Sequence, residues 1–166
     1  LTAYRRQQNL QDILIKSKLP PPPRKYPKRE IKGMKKCEKS CSSCSFIKEA
    51  TNIKIDKLSS WNVNRKFTCD SYNVVYLLGA KSVAKNIGST IRMLKQRLAE
   101  HKGYINNQVT NRATGAHWNL PGHSLAHLKV IILEQSKYKD EEYIREREKY
   151  FIRKFDTFNR GINKEW

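Results

Sequence analysis

Long apolar runs are missing from this chain of 166 residues. None approaches the ~20 consecutive apolar side chains that a membrane-spanning helix requires, so no membrane partner is expected. There is no secretory signal, and the first residue is Leu rather than Met, which makes a segment of a longer polypeptide the expectation. Acidic side chains are also scarce. Asp and Glu number 15 against 34 Lys and Arg, and the resulting net charge of +19 is heavier in residues 1–69 than in 70–166. Each cation that neutralises a phosphate releases condensed counterions, so this field favours nucleic acid as partner. The length leaves room for one ordinary domain with an extended lead-in.

What is present divides the chain in three. In residues 1–23, Asn9 begins a short helix through Lys18 with Leu10, Ile13 and Leu14 as its narrow apolar stripe. Pro20 to Pro23 lack amide donors and end it in a polyproline connector. Residues 24–71 read as a basic linker. Arg24, Lys25, Lys28, Arg29, Lys35 and Lys36 lie there among few apolar residues, either simply solvated or laid along a phosphate backbone.

Residues 72–166 carry the pattern of a compact domain. Positions 73–78 form an apolar, β-branched run of strand length, and 79–85 look like a hairpin connection to a short returning strand at 86–88. Ser89 or Thr90 then caps a helix to Lys102, with Ile91, Leu94 and Leu98 inward and Gly103 as its stop. Residues 104–126 mix loop with a short helix. A third strand follows at 129–133, and a long helix at 140–155 turns Ile144, Phe151, Ile152 and Phe155 inward. That order predicts an α+β fold, a small sandwich whose central, mostly antiparallel three-stranded sheet is flanked by helices.

All four cysteines precede residue 70, as Cys37-x3-Cys41-x2-Cys44 and then Cys69. Two short spacings on a turn place neighbouring thiolates around one ion and a distant fourth closes the loop, which is the pattern of structural, tetrahedral Zn2+. Two disulfides are the alternative, though nothing in the chain indicates an oxidising compartment. A reactive thiol is the third reading, but no His lies in the cluster to activate it.

From Val74 to Trp166 the chain resembles the GIY-YIG nucleases, in particular the branch found in Penelope-like retroelements. Val74-Val75-Tyr76 stands where that family has GIY, and Asn86-Ile87-Gly88-Ser89-Thr90 where it has YIG and a small polar turn. Arg97 and His101 match its Arg-x3-His. The stretches 113–124 and 147–155 are similar to the Penelope branch specifically, as are the Cys37 cluster and the lead-in Tyr4-Arg5-Arg6.

The resemblance implies metal-dependent hydrolysis of a DNA phosphodiester. Glu148, set among Ile144 and Ile152 on its helix, is by its residues alone a core ion pair with an Arg; the family makes it a Mg2+ or Mn2+ ligand. Arg97 is an exposed helix Arg or, in the family, a bidentate phosphate clamp. His101 is a surface His or a proton carrier in the same pocket. Tyr76 is a core Tyr or a phenol that orients or deprotonates the attacking water. Asn163 matches a family Asn near the domain's end. Asn86 replaces the YIG tyrosine with an amide that holds water but carries no phenolic proton.

Between the two tyrosine motifs the Penelope branch has two cysteines, and residues 77–85 have none. His117 and His123 therefore lack metal partners there and are expected to cap loops or touch phosphate. The function implied is nicking of target DNA to prime reverse transcription, in the nucleus, with a reverse transcriptase domain N-terminal in the same chain and element RNA bound through the rest of the polypeptide. A nucleic-acid-binding module that no longer cuts is the second reading, and a zinc-built protein-interaction domain the third.

Overall fold

Residues 32–54, 60–79 and 85–164 account for nearly all that the computed structural model describes, with 7, 9 and 10 besides. The expected helix beyond Leu10, the polyproline connector, the cations Arg24, Lys25, Lys28 and Arg29, and the hairpin tip lie outside the described residues. In chain order the strands are β1 (Gly33–Met34), β2 (Asn52–Lys54), β3 (Ser60–Asn62), β4 (Lys66–Phe67), β5 (Val74–Gly79), β6 (Lys85–Thr90) and β7 (Lys129–Gln135). The helices are α1 (Leu94–Asn106), α2 (Ala113–Trp118) and α3 (Glu141–Lys154). Among the described residues the chain is thus a mixed α+β protein of small sheets and three α-helices.

β5 lies between β6 and β7 and runs antiparallel to both. Its residues Val74 to Leu78 are buried without alternation, as expected of a strand covered on both faces. Tyr76 sits opposite Gly88 on one side and Ile132 on the other. α3 packs on β6 and β5 through Ile144, Phe151 and Ile152. Asp140 caps it by accepting from the Tyr143 amide at 3.0 Å, with Glu141 and Glu142 in the first turn and Arg153 and Lys154 in the last, all complementing the helix dipole.

α1 begins later than Ser89 or Thr90 would have it. β6 continues to Thr90, and both hydroxyls are used elsewhere, Ser89 on Glu148 and Thr90 on the Arg92 amide. The first amides of α1 are satisfied instead by main-chain carbonyls, Leu94 N donating to Ser71 O at 2.9 Å and Lys95 N to Cys69 O at 2.8 Å. Leu94, Leu98, His101 and Ile105 form its buried stripe. Gly103 stays inside the helix, which runs to Asn106, and Ile91 lies before it.

The stretch read as a basic linker folds into the core where it is described. Met34, Phe46, Ile47, Ile53, Val63, Phe67 and three of the cysteines share one buried cluster with the sheet and helices. β1 pairs with β4 and β2 with β3. Ile47 bridges to Val130, and Lys48 N donates to Val130 O at 2.9 Å, which seats this segment on the free edge of β7. Trp61 donates to Leu133 O at 2.9 Å and meets Phe151 edge-on at 5.0 Å. These apolar residues are scattered through a polar, basic stretch, so no long periodicity announced them. No described helix is long and apolar enough to cross a membrane.

Candidate functional site

A cleft of about 630 Å³ opens between β6, α1, α2 and α3. Tyr76, Asn86, Arg97, His101, Glu148 and Asn163 all line it, although they come from β5, β6, α1, α3 and the C-terminal segment. The pairing of Tyr76 with Gly88 makes one side of this possible. A Cβ on Gly88 would stand 2.6 Å from Tyr76 Oη and 2.8 Å from its Cζ, both impossible contacts. Gly88→Ala is therefore expected to cost about 1–3 kcal/mol, read by urea or thermal unfolding, and to displace the phenol.

The Tyr76 hydroxyl, expected to orient or deprotonate water, is engaged by protein groups. Its side chain is 0% exposed, and its hydroxyl is held by protein on both sides, Arg97 Nε donating at 3.1 Å and His101 Nε2 lying at 2.9 Å. Burial pushes the phenol up to about 12, with Arg97 working in the other direction. The hydroxyl therefore fixes the guanidinium. Arg97 Nη1 donates in turn to Glu100 Oε2 at 2.6 Å, and Glu100 also pairs with Arg92. This leaves the outer N–H groups of Arg97 for the cleft.

His101 is not a surface His. Burial, and then the Arg97 charge, lower it to about 3, so the imidazole is neutral at ordinary pH. A folded pKa below the unfolded ~6.5 gives stability that is full above pH ~6.5 and is lost as pH falls toward the folded value. His101→Gln is expected to flatten the decline in stability between pH ~6.5 and ~3, where the imidazole contributes at most about 1.4 kcal/mol per pH unit. Denaturant titrations across that range would show it.

Glu148 is half-buried, and Ser89 Oγ donates to its Oε2 at 2.5 Å. Burial pushes its carboxyl up, while the Ser89 hydrogen bond and the charges of Arg97 and Arg145 pull it back. Among the described residues no Lys or Arg lies at ion-pair distance from it, so the core ion pair is not formed. A carboxylate has about four lone-pair directions, and Ser89 uses one.

Asn163 has a holding role. Its Oδ1 accepts from Ile87 N at 2.9 Å and its Nδ2 donates to Ile87 O at 2.8 Å, so the side chain pairs with the outer edge of β6 as a neighbouring strand would. Asn86 is 8% exposed in the cleft wall. His117 and His123 are not brought to the cleft. Their rings lie 4.4 Å apart beside Trp118, and His117 Nε2 is buried without a hydrogen-bond partner. Burial and the neighbouring His123 lower the His117 pKa. Lys35 and Lys36 immediately precede Cys37, well apart in sequence from any cleft residue, and the Lys36 amide donates to Glu49 at 3.2 Å.

Sequence reasoning missed Ser89 as a partner of Glu148, Glu100 as the clamp on Arg97, and Thr114, whose Oγ1 lies 3.1 Å from His101 Nδ1. It also missed the cationic rim of Arg92, Arg112, Arg145 and Lys164. Only Glu100 left a trace, three residues after Arg97 on one helix.

The four cysteines converge. Their Sγ atoms all lie within 4.8 Å of one another, with Cys37 to Cys44 at 3.4 Å, Cys41 to Cys69 at 3.2 Å, and Cys44 at 3.8 Å from both Cys41 and Cys69. A tetrahedron with Zn–S bonds of ~2.3 Å has edges of about 3.8 Å, so the cluster could hold a metal ion such as zinc. No pair is disulfide-bonded. A hydrogen bond from the Cys41 backbone lowers Cys37 to about 6, whereas burial raises Cys44 and Cys69. A bound cation removes that penalty. Ser40, at φ 47°, makes the turn that returns Cys41 toward Cys37.

No protein family, no curated protein and no solved structure matches this chain.

Proposed function

We propose that the chain is a metal-dependent DNA endonuclease of the GIY-YIG kind, from the C-terminal part of a Penelope-like retroelement reverse transcriptase. The order and spacing of the residues from Val74 to Trp166 support the family. One observation carries the activity: Glu148 and Arg97, a carboxylate and a guanidinium each fixed by its own partner, line one cleft with a cationic rim. The order of strands and helices from β5 to α3 is consistent with the small sandwich of that family.

In this reading Glu148, its carboxylate oriented by Ser89, would hold Mg2+ or Mn2+, which would supply an activated water and charge neutralisation at the phosphate. Arg97 takes a phosphate oxygen and offsets the charge developing in the in-line displacement. Tyr76 and Glu100 hold the guanidinium in plane. Asn163 holds β6 in place. The rim arginines, with Arg24, Lys25, Lys28, Arg29, Lys35 and Lys36 upstream, contact the backbone of the target DNA. Cys37, Cys41, Cys44 and Cys69 hold structural zinc. Nicking exposes a 3′-hydroxyl for the reverse transcriptase domain of the same polypeptide, which carries the element RNA, in the nucleus.

A second reading, a nucleic-acid-binding module without cleavage, is favoured by one residue, Asn86 in the position of the YIG tyrosine. Supercoiled plasmid separates the two. The nuclease converts it to open circles with Mg2+ or Mn2+, and Glu148→Ala abolishes conversion. Retention of plasmid with no metal-dependent conversion, unaltered by Asn86→Tyr, supports the binding module. Either reading predicts DNA affinity that falls steeply as salt is raised; salt-insensitive binding contradicts both.

A further inference from the structure

Tyr76, His101 and Thr114 form a buried chain behind Arg97, and its direction follows from counting donors. Arg97 Nε can only donate, so Tyr76 Oη accepts from it at 3.1 Å. The phenol's own hydrogen needs an acceptor, because Tyr76 is 0% exposed and a buried unpaired hydroxyl is costly. Among the described residues its one remaining partner is His101 Nε2 at 2.9 Å. Nε2 must then be the bare nitrogen of a neutral ring, and the proton sits on Nδ1. Nδ1 faces Thr114 Oγ1 at 3.1 Å, and Thr114 is itself 2% exposed at the start of α2.

We infer that Thr114 is a positioning residue for Arg97: by accepting from His101 Nδ1 it fixes the imidazole tautomer that lets Tyr76 donate to Nε2 and accept from Arg97. Thr114 works through two intervening side chains, each with its polar atoms committed in one direction. Without the Thr114 hydroxyl, Nδ1–H is left buried with no acceptor. The ring then favours the other tautomer, Nε2–H points at the phenol, and Tyr76 and Arg97 each present a hydrogen that must be accommodated anew. The loosened guanidinium is the functional consequence, and that last link rests on the nuclease reading.

The test has two readouts. Long-range proton–nitrogen spectra of the 15N-labelled chain should show His101 as a neutral ring protonated on Nδ1. Thr114→Val, which keeps the shape and removes the hydroxyl, should shift it toward the Nε2–H form, and Thr114→Ser should restore Nδ1–H. Plasmid nicking should fall about tenfold in Thr114→Val and recover in Thr114→Ser, with DNA affinity retained. A wild-type ring protonated on Nε2 overturns the inference and needs no variant to be seen. So does a Thr114→Val variant whose tautomer and nicking match wild type. If the wild-type chain does not nick at all, the nuclease reading fails, and the tautomer spectra still decide the order of this chain.

Discussion

Cys69→Ser is expected to lose the bound metal, to lower the melting temperature sharply and to loosen the cleft as well as the cysteine-rich segment. Cys69 is 0% exposed in the core, and its thiol lies within 4 Å of those of Cys41 and Cys44. Structural zinc contributes on the order of 10 kcal/mol to folding in small zinc-built units, so removing one of four ligands is expected to cost several. The effect should not stay local. The Cys69 carbonyl accepts from Lys95 N and the Ser71 carbonyl from Leu94 N, and these bonds close the start of the helix that carries Arg97 and His101. Hydrogen exchange at the amides of Leu94 and Lys95 should therefore accelerate in the variant or on chelation. Metal analysis of the wild-type chain should return about one zinc per chain. A value near two would mean that His117 and His123 bind as well.

Arg97→Lys is expected to reduce nicking about 100-fold or more while leaving DNA affinity nearly unchanged. The substitution keeps the charge and removes the fork. Arg97 places Nε on Tyr76 and Nη1 on Glu100, and still has N–H groups to present to a phosphate. A single ammonium cannot satisfy the three directions at once, and one that follows Glu100 leaves both the buried phenol and the phosphate. In the proposed reading DNA affinity is spread over Arg92, Arg112, Arg145 and Lys164, which line the cleft and which the substitution does not touch. A fall in rate with matched binding, measured under single-turnover conditions, identifies a contact made in the transition state. Parallel loss of binding would assign Arg97 to general DNA affinity.

Much of the part beyond Val74 was legible because its patterns are local. An unbroken apolar run gave β5, and an apolar stripe at helical spacing gave α3, with Ile144, Phe151 and Ile152 buried as the stripe implies. The start of α1 was misjudged, since Ser89 and Thr90 have the chemistry of caps but β6 needed two more residues and their hydroxyls found other partners. Residues 32–71 were misjudged more seriously. Met34, Phe46, Ile53 and Phe67 are scattered through a mostly polar, basic stretch, and the pairing of short strands beside the cysteine cluster brings them into the core.

The six cleft residues were named from sequence, but their roles were not. Whether Tyr76 meets water or Arg97 depends on a burial that no spacing reveals. Asn163 is likewise a main-chain partner of Ile87, which only the path of the chain after α3 could show. Thr114 reaches His101 across the gap between α1 and α2, so no sequence interval links them.

Conversion of supercoiled plasmid to open circles under single-turnover conditions, with DNA occupancy matched between samples, tests the assignment of Glu148 and Arg97 most directly. The account predicts conversion by the wild-type chain that depends on Mg2+ or Mn2+ and is lost in Glu148→Ala, whose fold and DNA affinity persist. Equal conversion by wild type and Glu148→Ala, or saturating DNA binding without metal-dependent conversion even after Asn86→Tyr, would contradict it.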